Sequence, residues 1–265
     1  MKYTEVERAN TEDSLVLAII NQKGGVGKTT TAINLSAVLG DCGKKTLLID
    51  CDPQGNSTSG FGIDKAHVEQ CIYDVMLGGV PVTDIIKETT VLSTFIAPAT
   101  IQLTGAELDL VSVPNREKVL KHAIEPIRND FDYILIDCPP SLGLLTINAL
   151  TAADKLLIPI QCEYYALEGL SKLLDTMSLV KKRMNPDLEI FGVVMTMYDK
   201  RTSLSKQVVS EVENYFGETV FKTKIPRTVK LSEAPGYGVP ITQYNSFGKG
   251  AQAYRNLAKE VINRG

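Results

Sequence analysis

Histidine is nearly absent from this chain of 265 residues, which holds only His67 and His122. Two isolated imidazoles supply neither a zinc site nor a His-centred catalytic triad, so both are expected at the surface or in loops. The five cysteines, Cys42, Cys51, Cys71, Cys138 and Cys162, form no C-x-x-C pair. An odd count without metal spacing fits reduced thiols in a cytoplasm. Long apolar runs are missing as well. Leu15–Ile20, the longest near the start, is far too short to cross a bilayer. Ahead of it, Glu5, Glu7, Glu12 and Asp13 give the wrong charge pattern for a secretory signal, and Met1–Ser14 is expected to be a flexible tail. No repeat, low-complexity tract or Pro/Gly-rich linker interrupts the rest, so 15–265 is expected to form one domain.

Neither sign of charge dominates. The chain has 28 Lys/Arg against 31 Asp/Glu, a net charge of −3, and 44% apolar residues, ordinary for a globular protein. The distribution is uneven. Lys172–Lys230 holds eleven basic and seven acidic residues, a local +4, and the remainder carries −7. A small basic excess fits a solvated surface as well as an anion-binding face.

Short β-rich apolar runs alternate with helical ones. Strands are predicted at Leu15–Asn21, Thr46–Asp50, Tyr133–Asp137, Lys155–Ile160 and Ile190–Met197. Helices are predicted at Lys28–Leu39, Val119–Arg128, Leu144–Thr151, Ala166–Met184, Ser203–Phe216 and Gly250–Asn263. Gly60–Pro114 is the least legible stretch, with a short helix at Tyr73–Leu77 and a strand at Leu92–Ala97. Near-continuous apolar strands separated by helices indicate an α/β domain of three layers: a mostly parallel, twisted sheet with helices on both faces.

The strongest motif is Lys23-Gly24-Gly25-Val26-Gly27-Lys28-Thr29-Thr30, between a predicted strand and a predicted helix. That is the setting a P-loop requires. Glycines let the backbone curl until successive N–H groups face one phosphate, and the helix N-terminus adds partial positive charge. Lys28 is placed to reach the β/γ-phosphates and Thr29 to bind Mg²⁺. A glycine turn alone would explain the glycines but not Lys-Thr at the helix start. Gln22 stands where the usual pattern begins with glycine, and Lys23 is an extra cation. Two further strands end in carboxylates, Leu47-Leu48-Ile49-Asp50-Cys51-Asp52 and Ile134-Leu135-Ile136-Asp137-Cys138. A lone carboxylate at a strand end is often a solubilising cap. Parallel sheets, however, gather ligand sites at the carboxyl ends of their strands, so these acids are expected beside the P-loop.

With its extra lysine, this loop resembles the deviant Walker A motif of the ParA/MinD superfamily. The resemblance to the chromosomal ParA group called Soj extends through Asn21–Gly25, Asp52–Asn56, Cys138–Gly143, Gln161–Leu170 and Leu231–Pro235, covering roughly Leu15 to Gly265. It implies an Mg²⁺-dependent ATPase and an ATP-sandwich homodimer in which Lys23 reaches the partner's nucleotide. It also implies non-specific DNA binding, a ParB-type partner that stimulates hydrolysis, and a cytoplasmic, nucleoid-associated protein. By the same resemblance Asp52, rather than Asp50, handles the attacking water. Asp50 and Asp137 attend Mg²⁺ with Thr29, Pro226 and Arg227 cover the adenine, and Arg201 and Lys230 contribute to the DNA surface. Lys230, where the family often has arginine, keeps the charge and loses the bidentate fork.

Three rival readings are distinguishable. A MinD-like membrane ATPase needs an appended basic amphipathic helix, whereas Gly250–Asn263 is expected to pack on the domain. An iron–sulfur ATPase needs cluster cysteines, whereas Cys51 and Cys138 read as buried core thiols. A nucleotide-gated scaffold without useful hydrolysis is separable by turnover with DNA and ParB.

Overall fold

The computed structural model describes residues 14–164 and 168–265. Eight strands form one sheet in the order β3-β4-β2-β5-β1-β6-β7-β8. They are β1 (Leu15–Ile19), β2 (Thr46–Asp50), β3 (Lys87–Glu88), β4 (Thr94–Ala97), β5 (Tyr133–Asp137), β6 (Lys155–Gln161), β7 (Glu189–Tyr198) and β8 (Val220–Pro226). All pairings are parallel except β3 with β4 at one edge. β2 and β5 are buried at every residue, as strands covered on both faces must be.

Each face carries its own apolar layer. On one side Ala32, Leu35 and Leu39 of the Lys28–Asp41 helix pack with Tyr254, Leu257 and Val261 of the Lys249–Arg264 helix. The apolar stripe of that last helix is therefore spent on the domain, as expected. Its Tyr254 hydroxyl lies 3.3 Å from Thr31 Oγ1, which satisfies two buried polar groups together. The other layer joins Leu120 and Ile124, Leu145 and Leu150, Leu173 and Val180, and Val208 and Val212 from four helices. Among the described residues no helix is long and apolar enough to cross a membrane.

The departures from the sequence reading have local causes. β1 stops at Ile19 because Asn21 leaves the ladder: its Nδ2 donates to the Pro159 carbonyl at 2.7 Å and its Oδ1 accepts from Lys23 N at 3.0 Å. The predicted Val119–Arg128 helix is α-helical only to Ile124, then 3₁₀ over Glu125–Asp130, where Pro126 has no N–H to give. The Leu92–Ala97 strand starts at Thr94, because Ser93 sits at φ 61°. β3 and β8 were not anticipated. Both are edge strands, and β8 carries Lys222 and Lys224. Met1–Asp13 lie outside the described residues, as do Ala166 and Leu167 of the predicted Ala166–Met184 helix, which is described from Glu168 to Arg183. Ser14, read as the end of the tail, is buried, and its carbonyl accepts from Arg128 Nη2 at 3.1 Å. His67 and His122 are exposed, as expected.

Candidate nucleotide site

The glycine loop connects β1 to the Lys28–Asp41 helix at the carboxyl edge of the sheet. Gly25 and Gly27 take φ 77° and 89°, a left-handed curl that a side chain would resist. Val26 is buried, and its carbonyl accepts from Thr196 Oγ1 at 2.8 Å, which pins the loop to β7. The expected convergence is present. β2 and β5 flank each other with Asp50 opposite Asp137, and Asp137 is also opposite Ile19 of β1.

The two loop lysines point to different places. Lys28 is 7% exposed, and its Nζ donates to the Lys23 carbonyl at 3.3 Å, inside the curl. Burial pulls its ammonium below the usual lysine range, and the Asp137 charge opposes that. The Lys23 side chain is 39% exposed and pairs with Glu163 Oε2 at 3.0 Å. Gln161 Nε2 donates to the other Glu163 oxygen.

Asp50 and Asp137 are wholly buried, whereas Asp52 is 8% exposed and lines the cleft. Thr58 donates to Asp50 Oδ2 through its N–H at 2.8 Å and its hydroxyl at 2.7 Å. Ser57 Oγ donates to Asp137 Oδ2 at 2.8 Å. Burial pushes the Asp50 carboxyl up to about 6, against the pull of Thr58. Burial, then the Asp50 charge, pushes Asp137 up to about 7, with Ser57 and Thr29 opposing. Asp137 Oδ1 is buried with no hydrogen-bond partner among the described residues. A stranded carboxylate oxygen, with the Thr29 hydroxyl acting on the same group, fits a divalent cation. No set of three His, Cys, Asp or Glu side chains that could cage a metal occurs among the described residues. Mg²⁺ keeps several waters and leans on one or two carboxylates and on phosphates, and the Asp137 carboxylate beside the Thr29 hydroxyl fits that habit.

Two clefts meet at the loop. One, about 360 Å³, is lined by Gly24, Gly25, Gly27, Lys28, Thr29, Thr30, Asp52, Gln54, Asn56, Pro140 and Met197. Its neighbour, about 250 Å³, shares Gly27, Thr30 and Met197 and adds Thr196, Ile225, Pro226, Arg227, Thr228, Leu231, Ser232 and Tyr254. The first suits phosphates, and the second is large and apolar enough for a base. Met197 holds φ 50° where the clefts join, a strained position for a non-glycine residue. Pro226 and Arg227, which the family resemblance assigns to the adenine, line this second cleft. Gln54 and Asn56 sit inside the recognisable Asp52–Asn56 motif. Ser57, Thr58, Thr196 and Met197 carry no sequence signal of their own.

Arg201 and Lys230 lie just beyond the carboxyl ends of β7 and β8. Both are exposed, at 83% and 51%, and each already has a carboxylate. Arg201 grips Asp199 through Nε at 2.9 Å and Nη2 at 2.7 Å, which holds that carboxyl well below the usual range. Lys230 Nζ pairs with Glu233 at 2.9 Å and lies over the Tyr244 ring.

A family model described as an AAA domain matches residues 14–190. The chain is 59% identical over 250 residues to the sporulation initiation inhibitor protein Soj of Bacillus subtilis (strain 168), covering 94% of this chain and 99% of that protein. The chain belongs to the Soj/ParA family of chromosome-partitioning ATPases. The chromosome-partitioning ATPase Soj of Treponema pallidum is 50% identical, with 94% of this chain and 97% of that one covered. Among solved structures, a cobyrinic acid a,c-diamide synthase from Mycobacterium smegmatis with bound ATP analog and magnesium is similar at TM-score 0.83 and 39% identity, covering 94% of this chain and 95% of that chain. The three-layer fold of this ParA-family ATPase, with one mostly parallel sheet, agrees with that neighbour.

Proposed function

We propose that this ParA-family ATPase is a nucleotide-gated DNA binder acting in chromosome or plasmid partition. With ATP and Mg²⁺ bound, two copies close into a sandwich dimer that holds DNA without sequence preference. A ParB-type partner stimulates the hydrolysis that releases it. The observation carrying this reading is the divergence of the loop lysines: Lys28 is buried in its own loop, and Lys23 stands half-exposed facing Glu163. A second cation turned away from its own cleft suits a phosphate held by a sister subunit.

On this reading Gly24, Gly25, Val26, Gly27, Lys28, Thr29 and Thr30 wrap the phosphates, and Pro226 and Arg227 cover the adenine. Lys28 neutralises charge developing on the β/γ oxygens, joined by Lys23 of the partner subunit. Asp52, on the rim of the cleft, orients or deprotonates the attacking water. Thr29, Asp137 and Asp50 would hold Mg²⁺, directly or through water. Bound there, Mg²⁺ supplies Lewis-acid neutralisation of the phosphate oxygens.

Arg201 and Lys230 exchange their carboxylates for DNA phosphates. One shallow patch binds weakly at physiological salt, and two patches held together raise the effective concentration of the second contact. ATP favours the dimer because Lys23 has a γ-phosphate to hold, so hydrolysis removes that differential contact. The protein then works in the cytoplasm on the nucleoid, with no stable membrane association. Its ATPase domain spans 15–265.

The test is retention on DNA with ATP, ADP or no nucleotide, at two salt concentrations. Retention should be high with ATP alone and fall steeply with salt; equal retention in all three states would overturn the reading. Asp52→Ala should persist on DNA as an ATP-loaded dimer. Normal ATP turnover by that variant would remove Asp52 from its role.

A further inference from the structure

Two segments distant in sequence meet backbone to backbone. The first follows Asp52 and the second follows Lys230. Gly62 has φ +76°, and a Cβ there would lie 2.9 Å from the Gly238 carbonyl oxygen. Gly238 has φ +66°, and a Cβ there would lie 2.5 Å from Gly62 Cα. Each residue is in the left-handed region, and each occupies the space the other's side chain would need. The two backbones press directly on one another.

The Gly62 side is tied to the phosphate acids. Gln54 and Asn56 line the phosphate cleft, and the Asn56–Gly60 helix begins four residues after Asp52. Ser57 bonds Asp137 and Thr58 bonds Asp50, with all four side chains wholly buried. A displacement of either carboxylate therefore displaces this helix, and Gly62 is two residues past its end.

The Gly238 side is tied to Lys230. The Val229–Glu233 helix bearing Lys230 runs directly into the Ala234–Tyr237 turn and Gly238. The Tyr237 ring lies 5.0 Å from that of Tyr244, whose hydroxyl donates to Glu233 at 2.8 Å. Glu233 is in turn the carboxylate that holds Lys230. The setting of Gly238 thus bears on how firmly Lys230 is kept from other anions.

We propose that the Gly62–Gly238 contact carries the γ-phosphate state from the Asp52 segment to the Lys230 segment. Its input rests on the nucleotide site, and its output rests on the DNA-binding reading given above. Coupling needs an element that contacts both sites and is biased by one of them. A backbone-to-backbone seat has no rotamer to absorb a small shift, so it transmits one. The base cleft touches Leu231 and Ser232 directly, an influence common to ADP and ATP. The phosphate cleft shares no residue with 229–238. A γ-phosphate effect on that segment needs a relay.

Amide hydrogen exchange on the full chain without DNA separates the two influences. The comparison is Mg²⁺-ADP against Mg²⁺ with a non-hydrolysable ATP analogue, both saturating. The difference cancels the base contribution. Extra slowing with the analogue is expected in 52–62 and also in 229–238. Extra slowing confined to the glycine loop and 52–62 would overturn the proposal. Gly238→Ala should lose the extra slowing in 229–238 while keeping it in 52–62, with dimer formation in sedimentation unchanged. Its ATP-over-ADP ratio of DNA retention, roughly 5–150-fold for coupling of ordinary strength, should fall toward one. A Gly238→Ala protein that keeps the full exchange difference and the full ratio also overturns it. Should that variant fail to fold, the wild-type comparison decides alone. Wild-type slowing in 229–238 without nucleotide-dependent DNA retention would leave the relay standing and defeat the DNA reading.

Discussion

Thr58→Val is the sharpest probe of the buried acid pair. Valine keeps the shape of threonine and removes one hydroxyl. That hydroxyl donates to Asp50 Oδ2 at 2.7 Å and accepts from Ala99 N at 2.9 Å, with Thr58 and Asp50 wholly buried. Losing a hydrogen bond to a charged group costs about 1.5–3 kcal/mol, and stranding the Ala99 N–H costs about 1–3 kcal/mol more. Partial relaxation leaves an expected loss of about 3 kcal/mol, or roughly 6–12 °C in melting temperature for a domain of this size. The sign with pH follows from Asp50. Thr58 lowers a carboxyl that burial raises to about 6, so its deletion raises that pKa further. A higher folded pKa costs stability where the group is charged. The charge-dependent share of the penalty is therefore full above neutral pH and fades as pH falls through 6. The Ala99 share stays constant. Urea denaturation of the nucleotide-free protein at pH 8 and pH 5 measures both. A loss below about 0.5 kcal/mol at pH 8, within the range of ordinary surface changes, would refute the reasoning.

Other outcomes follow from the same geometry. Asp137→Asn should raise the melting temperature of the nucleotide-free protein at pH 8, because a carboxyl raised to about 7 is charged there at a cost. That advantage should shrink between pH 7 and pH 4, while Mg²⁺-dependent turnover is lost; scanning calorimetry across that range checks the first part. Lys28→Ala should abolish nucleotide binding or hydrolysis, read by equilibrium titration with a fluorescent ATP analogue and by turnover. Arg201→Ala should weaken DNA retention with ATP-dependent dimerisation intact. It should also flatten the log-log salt slope by roughly 1 per protomer for the lost phosphate contact. Asp199→Asn should strengthen retention at unchanged turnover, since it frees Arg201 from its internal carboxylate.

Much of the fold is legible because its strands are buried on both faces. Thr46–Asp50, Tyr133–Asp137 and Ser203–Phe216 begin and end where composition and periodicity place them. β8 is not legible, because lysines at 222 and 224 read as surface chain until the strand docks on β7 at the sheet edge. The stretch 60–114 is built of two short strands and of helices of two turns or less, too short for a 3.6-residue period to declare itself. At the site, Lys23, Lys28, Thr29, Asp50, Asp52 and Asp137 are readable from motif and position. Ser57 and Thr58 are not, since a hydroxyl becomes a carboxylate's partner only through what folds against it.

The curl of the glycine loop, the two cations on it and the acids at the ends of β2 and β5 are written in neighbouring residues, because backbone freedom and helix polarity act over a few positions. Packing alone decides that Asp50 and Asp137 lie side by side, that their hydroxyl partners come from one short helix, and that Gly62 rests on Gly238. Such contacts depend on sheet order and on side chains brought together across long stretches of sequence, and no local pattern records them.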